Sequence, residues 1–427
     1  MTTSRFLRTL ALSAPLTVGL SLGIAGAQGL TFWPSSNPEE IEFAKQIVAA
    51  WNKANPSTPV KMQPLPASRS SEEVLLAAIA GKTTPDVAAN IYPGAISQFV
   101  SAGGLYAHNK LPDFKSFMTE RSGADVLEAY TSSGGNIYQI PWKSNPTLLA
   151  YNTALLAEAG IKPADLATYS GFLAAARKVK AKWGGKKFLY APTVDATWWQ
   201  RFFDFYTLYI AASGGKTLLD KSGKVIFDAQ PGQEVFGFLA TLFKEGLAPR
   251  TRTAANRFFE GESLLETAGP FTLPFYAQNA PKGMKIDLLP PPVPDRMKGQ
   301  KVYTYGDPKN IAVFTTSKDP ALAWKFIKFV LSKNNDALFM KTTGQIPYRE
   351  GLETDAQFKS IIAAQPLLSK FVRQAPLTRG VDDTKSLVEV FDAISREYES
   401  AVVYGRGDPT EAVKRAGQKA RDILSGF

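Results

Sequence analysis

The 427-residue chain predicts an α/β protein of two lobes. Helix and strand signals alternate along nearly its whole length, and 427 residues exceed what one hydrophobic core supports. A third observation is the stretch Ile140 to Asn152, "IPWKSNPTLLAYN", which reads as one strand ending, a polar turn and a second strand beginning. With 44% hydrophobic and 20% charged residues the composition is that of an ordinary globular protein. The 29 prolines and 33 glycines follow no repeat period, so neither a fibre nor disorder is indicated.

Residues 1–27 differ from the rest. Arg5 and Arg8 precede an apolar run from Ala11 to Ile24, and Ala25-Gly-Ala27 offers the small residues of a leader-cleavage site. Cleavage after Ala27 is expected, with export to the periplasm; the apolar run falls short of the roughly 20 residues that span a bilayer. The chain has no cysteine, which excludes disulfides, thiolate nucleophiles, zinc-thiolate sites and a lipid-modified N-terminal cysteine. A free periplasmic protein is expected, not a lipoprotein. Loss of Arg5 and Arg8 takes the 49 basic residues to 47 against 38 acidic, a formal charge of +9. The basic residues are dispersed and not interleaved with stacking aromatics, so they read as a solvated surface and nucleic acid is not an expected partner.

The first strand is expected over Leu30 to Trp33. In "PSSNPEE", Asn37 suits an N-cap, Pro38 the first helical position, and Glu39 and Glu40 the first turn. Ile41, Ala44, Val48 and Trp51 recur at helical spacing and are expected to be buried. That polar turn sits between a strand's carboxyl end and a helix's amino end, the edge at which open α/β sheets hold ligands. Further helices are expected over Glu72 to Ala80, Thr153 to Ala159, Gly171 to Lys182, Trp198 to Ala212, Gln233 to Glu245 and Pro320 to Leu331. Strands are expected ending near Tyr92, over Lys187 to Ala191 and over Asn310 to Thr315. The "LPPPVPD" run after Leu288 reads as a rigid extended connector. The tail from Thr384 is helical, with a break at Gly405 to Asp408.

Catalytic signals are weak. "SGGKT" (Ser213 to Thr217) resembles the end of a phosphate-cradling loop, but position 210 is Ile where that loop needs glycine, so a glycine turn after a helix is expected. His108 is the sole histidine; alone it founds neither a zinc site nor a Cys/His pair, and a surface or turn role is expected. The carboxylate pairs Glu39-Glu40, Glu72-Glu73 and Asp382-Asp383 are chain neighbours, which usually point apart, so no hydrolytic dyad is expected. The reading is of a protein that is not an enzyme and needs no cofactor or metal.

Aromatic and amide side chains do accumulate in predicted strand-end loops: Trp33, Asn37, Tyr92, Trp142, Asn145, Trp198, Trp199, Phe271 and Tyr305. Aromatic faces stack on sugar rings while amides pair with hydroxyls, so this mixture suits a neutral, hydroxyl-rich ligand. Trp33 and Trp142, flanked by prolines and polar residues, are the favoured pair. The residues leave open which of Trp198 and Trp199 faces a ligand.

"LLAAIAGKTTPDVAAN" (Leu75 to Asn90), "FVSAGGLYAHN" (Phe99 to Asn109), "YQIPWKSNPTLLAYNTALLAEAGI" (Tyr138 to Ile161), "AASGGKTLLDKSGKVIFD" (Ala211 to Asp228), "FFEGESLLETAGPF" (Phe258 to Phe271) and "NIAVFTTSKDPALAWKFIKFV" with "TTGQIPYREG" (Asn310 to Gly351) run in order. In this the chain resembles the extracellular solute-binding proteins of carbohydrate ATP-binding-cassette importers. The resemblance implies a two-lobe periplasmic-binding-protein fold with hinge strands crossing between lobes: residues 28–143 with 307–344, and 147–304 with 348–427. The first crossing would be "IPWKSNPTLLAYN", putting Trp142, Ser144 and Asn145 in the cleft, with others near Tyr305-Gly306-Asp307 and Gly344-Gln345. It implies a monomer that takes a di- or oligosaccharide and delivers it to permease subunits.

Within that family, "PWKSNPTLLAYN" and the tail "APLTRGVDDTKSLVEVFDAI" are similar to the subgroup that binds glycerol 3-phosphate. Two positions depart from it: Pro93 stands where the subgroup has an acid, and Asp382 where it has an arginine. A phosphate would there meet a carboxylate, although Arg379 could substitute as the cation. Glycerol 3-phosphate is therefore the alternative ligand to a sugar.

Overall fold

The computed structural model describes residues 29–426 apart from 67–69, 133, 252–255 and 383. The expected leader and its cleavage site, and Asp383 of the last carboxylate pair, lie outside the described residues. In chain order the described strands are β1 (Leu30–Trp33), β2 (Val60–Met62), β3 (Val87–Ile91), β4 (Ile140–Ser144), β5 (Leu148–Asn152), β6 (Phe188–Tyr190), β7 (Ser263–Ala268), β8 (Ile286–Leu289), β9 (Thr304–Tyr305), β10 (Lys309–Val313), β11 (Ile346–Pro347) and β12 (Thr378–Arg379). They form a six-stranded sheet in the order β11-β4-β10-β3-β1-β2, a four-stranded sheet in the order β6-β7-β5-β8, and a two-stranded ladder of β12 with β9. In the first sheet β1 runs parallel to β2 and β3, whereas β10 pairs antiparallel with both β3 and β4.

The chain changes sheet through Asn145–Thr147, between β4 and β5, and returns through Gly306–Pro308, between β9 and β10. The strand, turn and strand expected of "IPWKSNPTLLAYN" are thus present, one strand in each sheet. The Thr147 amide donates to the Tyr305 carbonyl at 2.8 Å and the Asp307 amide to the Asn145 carbonyl at 2.9 Å, so the two crossings brace each other. After β11 the chain enters the second lobe again.

Capping chemistry accounts for the first helix, Pro38–Ala54: Asn37 accepts from the Glu40 amide, Pro38 opens it, and Glu39 and Glu40 lie in its first turn. Its buried face is Phe43, Ala44, Ile47 and Trp51, with Ile41 and Val48 only half-buried. The core face is thus rotated from the expected one, because Phe43 meets Phe339 and Trp51 meets Phe326 and Phe329 edge-on from helices far along the chain. The expected helix from Trp198 to Ala212 is two pieces, a 3-10 turn Trp198–Phe202 and a helix Phe205–Ala212. Asp204 interrupts it: its side chain accepts from the Phe205 amide and restarts the helix.

"SGGKT" follows the end of that helix, with Gly214 and Gly215 both at positive φ, as a glycine turn requires. The proline run is extended and outside both sheets, held by one bridge from Val293 to Thr168. The tail breaks as expected between a π-helical segment, Tyr398–Val403, and the last helix, Pro409–Ser425. His108 corrects its expectation. It is fully buried, and its Nε2 accepts from the Val313 amide at 2.9 Å, tying the 3-10 turn His108–Lys110 to β10.

One hydrophobic core fills the first lobe around Phe32, Ile140, Trp142, Val313 and Trp324, and a larger one fills the second around Phe172, Phe205, Phe236 and Phe391. Tyr92, from the end of β3 in the first sheet, packs into the second of these. The lobes therefore meet through a side chain that belongs by sequence to one and by packing to the other.

Candidate ligand site between the two lobes

The first sheet's edge facing the second lobe is built from the carboxyl ends of β3 and β4 and the amino ends of β10 and β11. Register places Lys309 opposite Lys143 and Ile346 opposite Ser144, so Tyr92, Lys309, Lys143 and Gln345 form a row along this edge. The amino end of helix Pro38–Ala54 adds Glu40 to it. Lys143 pairs with Glu40, both 3% exposed. The Gln345 Nε2 donates to Glu40 Oε1 at 2.6 Å, and the Asn145 Nδ2 donates to Gln345 Oε1 at 3.0 Å. Lys309 pairs with Asp307 at 2.8 Å, and the Tyr305 hydroxyl donates to the same carboxylate at 3.1 Å.

Two cations thus face two carboxylates in a nearly dry row. Burial depresses the Lys143 ammonium's pKa, and the neighbouring Glu40 only partly restores it. Burial also opposes the Lys309 charge, but the surrounding carboxylates, Asp307 foremost, outweigh it and its pKa is raised. The Tyr92 phenol is pushed well up by burial and by Asp307, so it stays protonated.

At the Tyr92 end of this row an aromatic cluster continues into the second-lobe core. Tyr92 lies 5.5 Å from Phe202 and 6.4 Å from Trp198, ring centre to ring centre, with Lys309 Nζ 5.0 Å from its centroid. Phe202 stacks on Tyr305 at 5.2 Å, and Phe203 links Tyr305 at 6.0 Å to Phe271 at 6.5 Å. A Cβ at Gly344 would stand 3.5 Å from the Pro270 carbonyl, which brings the Gly269–Phe271 turn of the second lobe beside Gln345.

Beside the crossings the lobes flank two adjoining cavities of about 750 and 720 Å³, which share Ala129, Ser144, Tyr348 and Thr378 on their walls. The larger runs between Pro93 and Gln139 of the first lobe and Arg379 to Asp382 of the second. At its rim, Gly94 has no room for a side chain: a Cβ there would come within 2.5 Å of Leu387 Cδ2 and 2.5 Å of the Tyr92 ring.

The candidate residues separate on this frame. Tyr92, Trp198, Tyr305 and Phe271 come together in the aromatic cluster, Asn145 joins the polar row, and Ser144 lines both cavities. Trp199 is 45% exposed and turned outward, so of the adjacent pair it is Trp198 that meets Tyr92. Trp33 is half-buried against the cluster of Leu75, Ile91 and Phe99. The Asn37 side chain is spent as a helix cap.

Trp142 is a correction. It is 2% exposed and packs 4.9 Å from Phe339 in the first-lobe core. The Lys143 Nζ lies 4.8 Å from the centre of its ring, so Trp142 supports the polar row from within the core instead of lining the cleft. Arg379 lies on the cavity wall, but its guanidinium covers the Tyr303 ring at 4.4 Å and donates to the Gly215 and Thr378 carbonyls. The Asp382 carboxylate accepts from the Leu218 and Leu219 amides at 2.9 and 3.2 Å.

Glu40, Lys143, Asp307, Lys309, Gln345, Phe202 and Phe203 were not among the expected site residues. An available signal was the gathering of charged and amide residues at three predicted crossings; Glu40 gave none, since a first-turn acid is explained by the helix alone. No cluster of metal-ligating side chains occurs among the described residues, and no helix among them is long and apolar enough to cross a membrane.

Residues 46–366 match the family of bacterial extracellular solute-binding proteins. A binding protein of Brucella abortus (strain 2308) is 25% identical over 323 residues, covering 72% of this chain and 74% of that protein. The arabinooligosaccharide-binding protein of Bacillus subtilis (strain 168) is 24% identical over 230 residues, 53% of this chain and 49% of that one. An uncharacterised protein of Listeria monocytogenes superposes with a TM-score of 0.81 at 29% identity, covering 93% of this chain and all of that one. The cyclic α-maltosyl-1,6-maltose binding protein of Arthrobacter globiformis superposes with a TM-score of 0.80 at 20% identity, over 93% and 99% of the two chains. With the family match spanning well over half of its length and the two-lobe architecture in place, the chain belongs to the bacterial extracellular solute-binding proteins.

Proposed function

We propose that this protein captures a neutral di- or oligosaccharide between its lobes and hands it to the permease of an ATP-binding-cassette importer. The observation that carries the reading is the place where the lobes meet, beside two cavities, with a charge-balanced row of donors and acceptors next to the aromatic cluster of Tyr92, Trp198 and Phe271; a sugar ring calls for both aromatic faces and matched polar groups. The relative named for arabinooligosaccharide binding supports the choice. The closing units are residues 28–143 with 307–344 and 147–304 with 348–427, turning about the crossings. The chain works as an exported monomer freed from its leader after Ala27, by capture and release without turnover.

A phosphorylated polyol is the second reading, and Arg379 on the cavity wall is the observation that favours it. Against it stand the guanidinium's existing carbonyl partners and the presence of Asp382 on the wall of the same cavity. Thermal unfolding against maltose, trehalose, maltotriose, arabinotriose and glycerol 3-phosphate separates the two. A ligand at 100 times its Kd stabilises the fold by about 2.7 kcal/mol, a shift of several degrees. A shift with a neutral sugar supports the proposal; a shift with glycerol 3-phosphate alone replaces it with the second reading.

A further inference from the structure

The polar row holds more hydrogen-bonding capacity than the protein uses. Glu40 Oε1 accepts from both Lys143 and Gln345, while Glu40 Oε2 has no partner. The carboxylate also fixes the direction of the Gln345 amide: its Nε2 must face Glu40, so its Oε1 faces Asn145, and Asn145 must answer with Nδ2. That leaves Asn145 Oδ1 without a partner, and the Tyr92 hydroxyl has none either. All three side chains are almost wholly buried, at 3%, 1% and 5% exposure. Folded proteins seldom leave buried polar atoms unpaired, and these three stand on one sheet edge against the opposite lobe.

We infer that Glu40, Asn145 and Tyr92 form a donor-reading subsite, selecting uncharged ligands that present at least two free hydroxyl groups to this edge. The inference rests on the carbohydrate reading and specifies its chemistry. Glu40 Oε2 and Asn145 Oδ1 can only accept, so the ligand must bring the hydrogens. The Tyr92 phenol then donates to, or accepts from, a third polar atom. A carboxylate or a doubly ionised phosphate group has no hydrogen to give those acceptors, and either would add charge to a row in which Glu40 already offsets Lys143 and Asp307 offsets Lys309. A sugar hydroxyl donates to one neighbour while accepting from another, as the row demands.

The test uses the full exported chain and Tyr92→Phe. Because the phenol hydroxyl has no partner in the free protein, removing it should leave Tm unchanged or higher. If the hydroxyl serves the ligand, the same change weakens binding of whichever panel sugar binds the wild type by about fivefold to tenfold in calorimetric titration. An O-methylated form of that sugar, which accepts but cannot donate, should lose binding to the wild type. A Tyr92→Phe variant that binds the parent sugar as tightly as wild type, or a methylated sugar that binds as well as its parent, overturns the subsite. Absence of binding by every neutral sugar overturns the carbohydrate reading itself and takes the subsite with it.

Discussion

Trp142 and Lys143 show how a single residue step divides a core position from the polar row. Lys143 sits in the polar row, whereas Trp142 is a core residue against Phe339. Trp142→Ala should therefore destabilise the fold by about 3–5 kcal/mol in urea unfolding, from lost burial and the cavity left behind. Two buried titrating groups predict the pH response. Burial lowers the His108 pKa to about 3, so its contribution is present above the unfolded value of about 6.5 and is lost as pH falls through that window. Burial raises the Asp204 pKa to about 6 despite the Arg201 guanidinium beside it, so its contribution is present below pH 3.8 and lost as pH rises towards 6. The two slopes oppose each other. Asp204→Asn should steepen the acid loss of stability between pH 6 and 4 relative to wild type, measured by chemical denaturation at each pH. A parallel pair of curves would show that Asp204 does not take up its proton in that range.

Among the elements, those with caps and turn chemistry were the ones readable beforehand. Asn37, Pro38 and the acidic first turn place the start of the first helix, and Asn37→Ala should cost about 1 kcal/mol through the lost bond to the Glu40 amide, again by denaturation. Six helices and the strands around Trp33, Tyr190 and Val313 lay within a few residues of their expected ends. The two-residue strands β9, β11 and β12 were not readable, since two residues carry no periodicity. Nor was the buried face of the first helix, because Phe339 and Phe326, nearly 300 residues away, decide which of its apolar residues are covered. The same distance hid the site. Glu40 meets Lys143 across 103 positions and Gln345 across 305, and nothing local to any of the three announces a partner. His108 was misread for the same reason: its turn is polar in sequence, and β10 covers it only in three dimensions.

For the whole molecule, the close approach at Gly94 bears on closure. Leu387 belongs to the second lobe, and any side chain at position 94 must push it or Tyr92 away. Gly94→Ala should hold the lobes further apart, reducing ligand affinity while leaving each core intact. Small-angle scattering would register a larger radius of gyration with unchanged far-ultraviolet dichroism. An unchanged radius together with unchanged affinity would mean that the neighbouring side chains absorb the methyl group at no cost.

The position of β10 also orders the assembly of the chain. A polypeptide made from its amino terminus has four of the six strands of the first sheet by residue 144, yet β3 and β4 are not neighbours. Between them is a slot one strand wide that only Lys309–Val313 can fill, after every strand of the four-stranded sheet has been made. Contacts that span so much chain form slowly, because the intervening loop must close before any pairing is gained. The lobe synthesised first is thus the lobe completed last, and until then the facing edges of β3 and β4 remain open to any partner that keeps a chain unfolded.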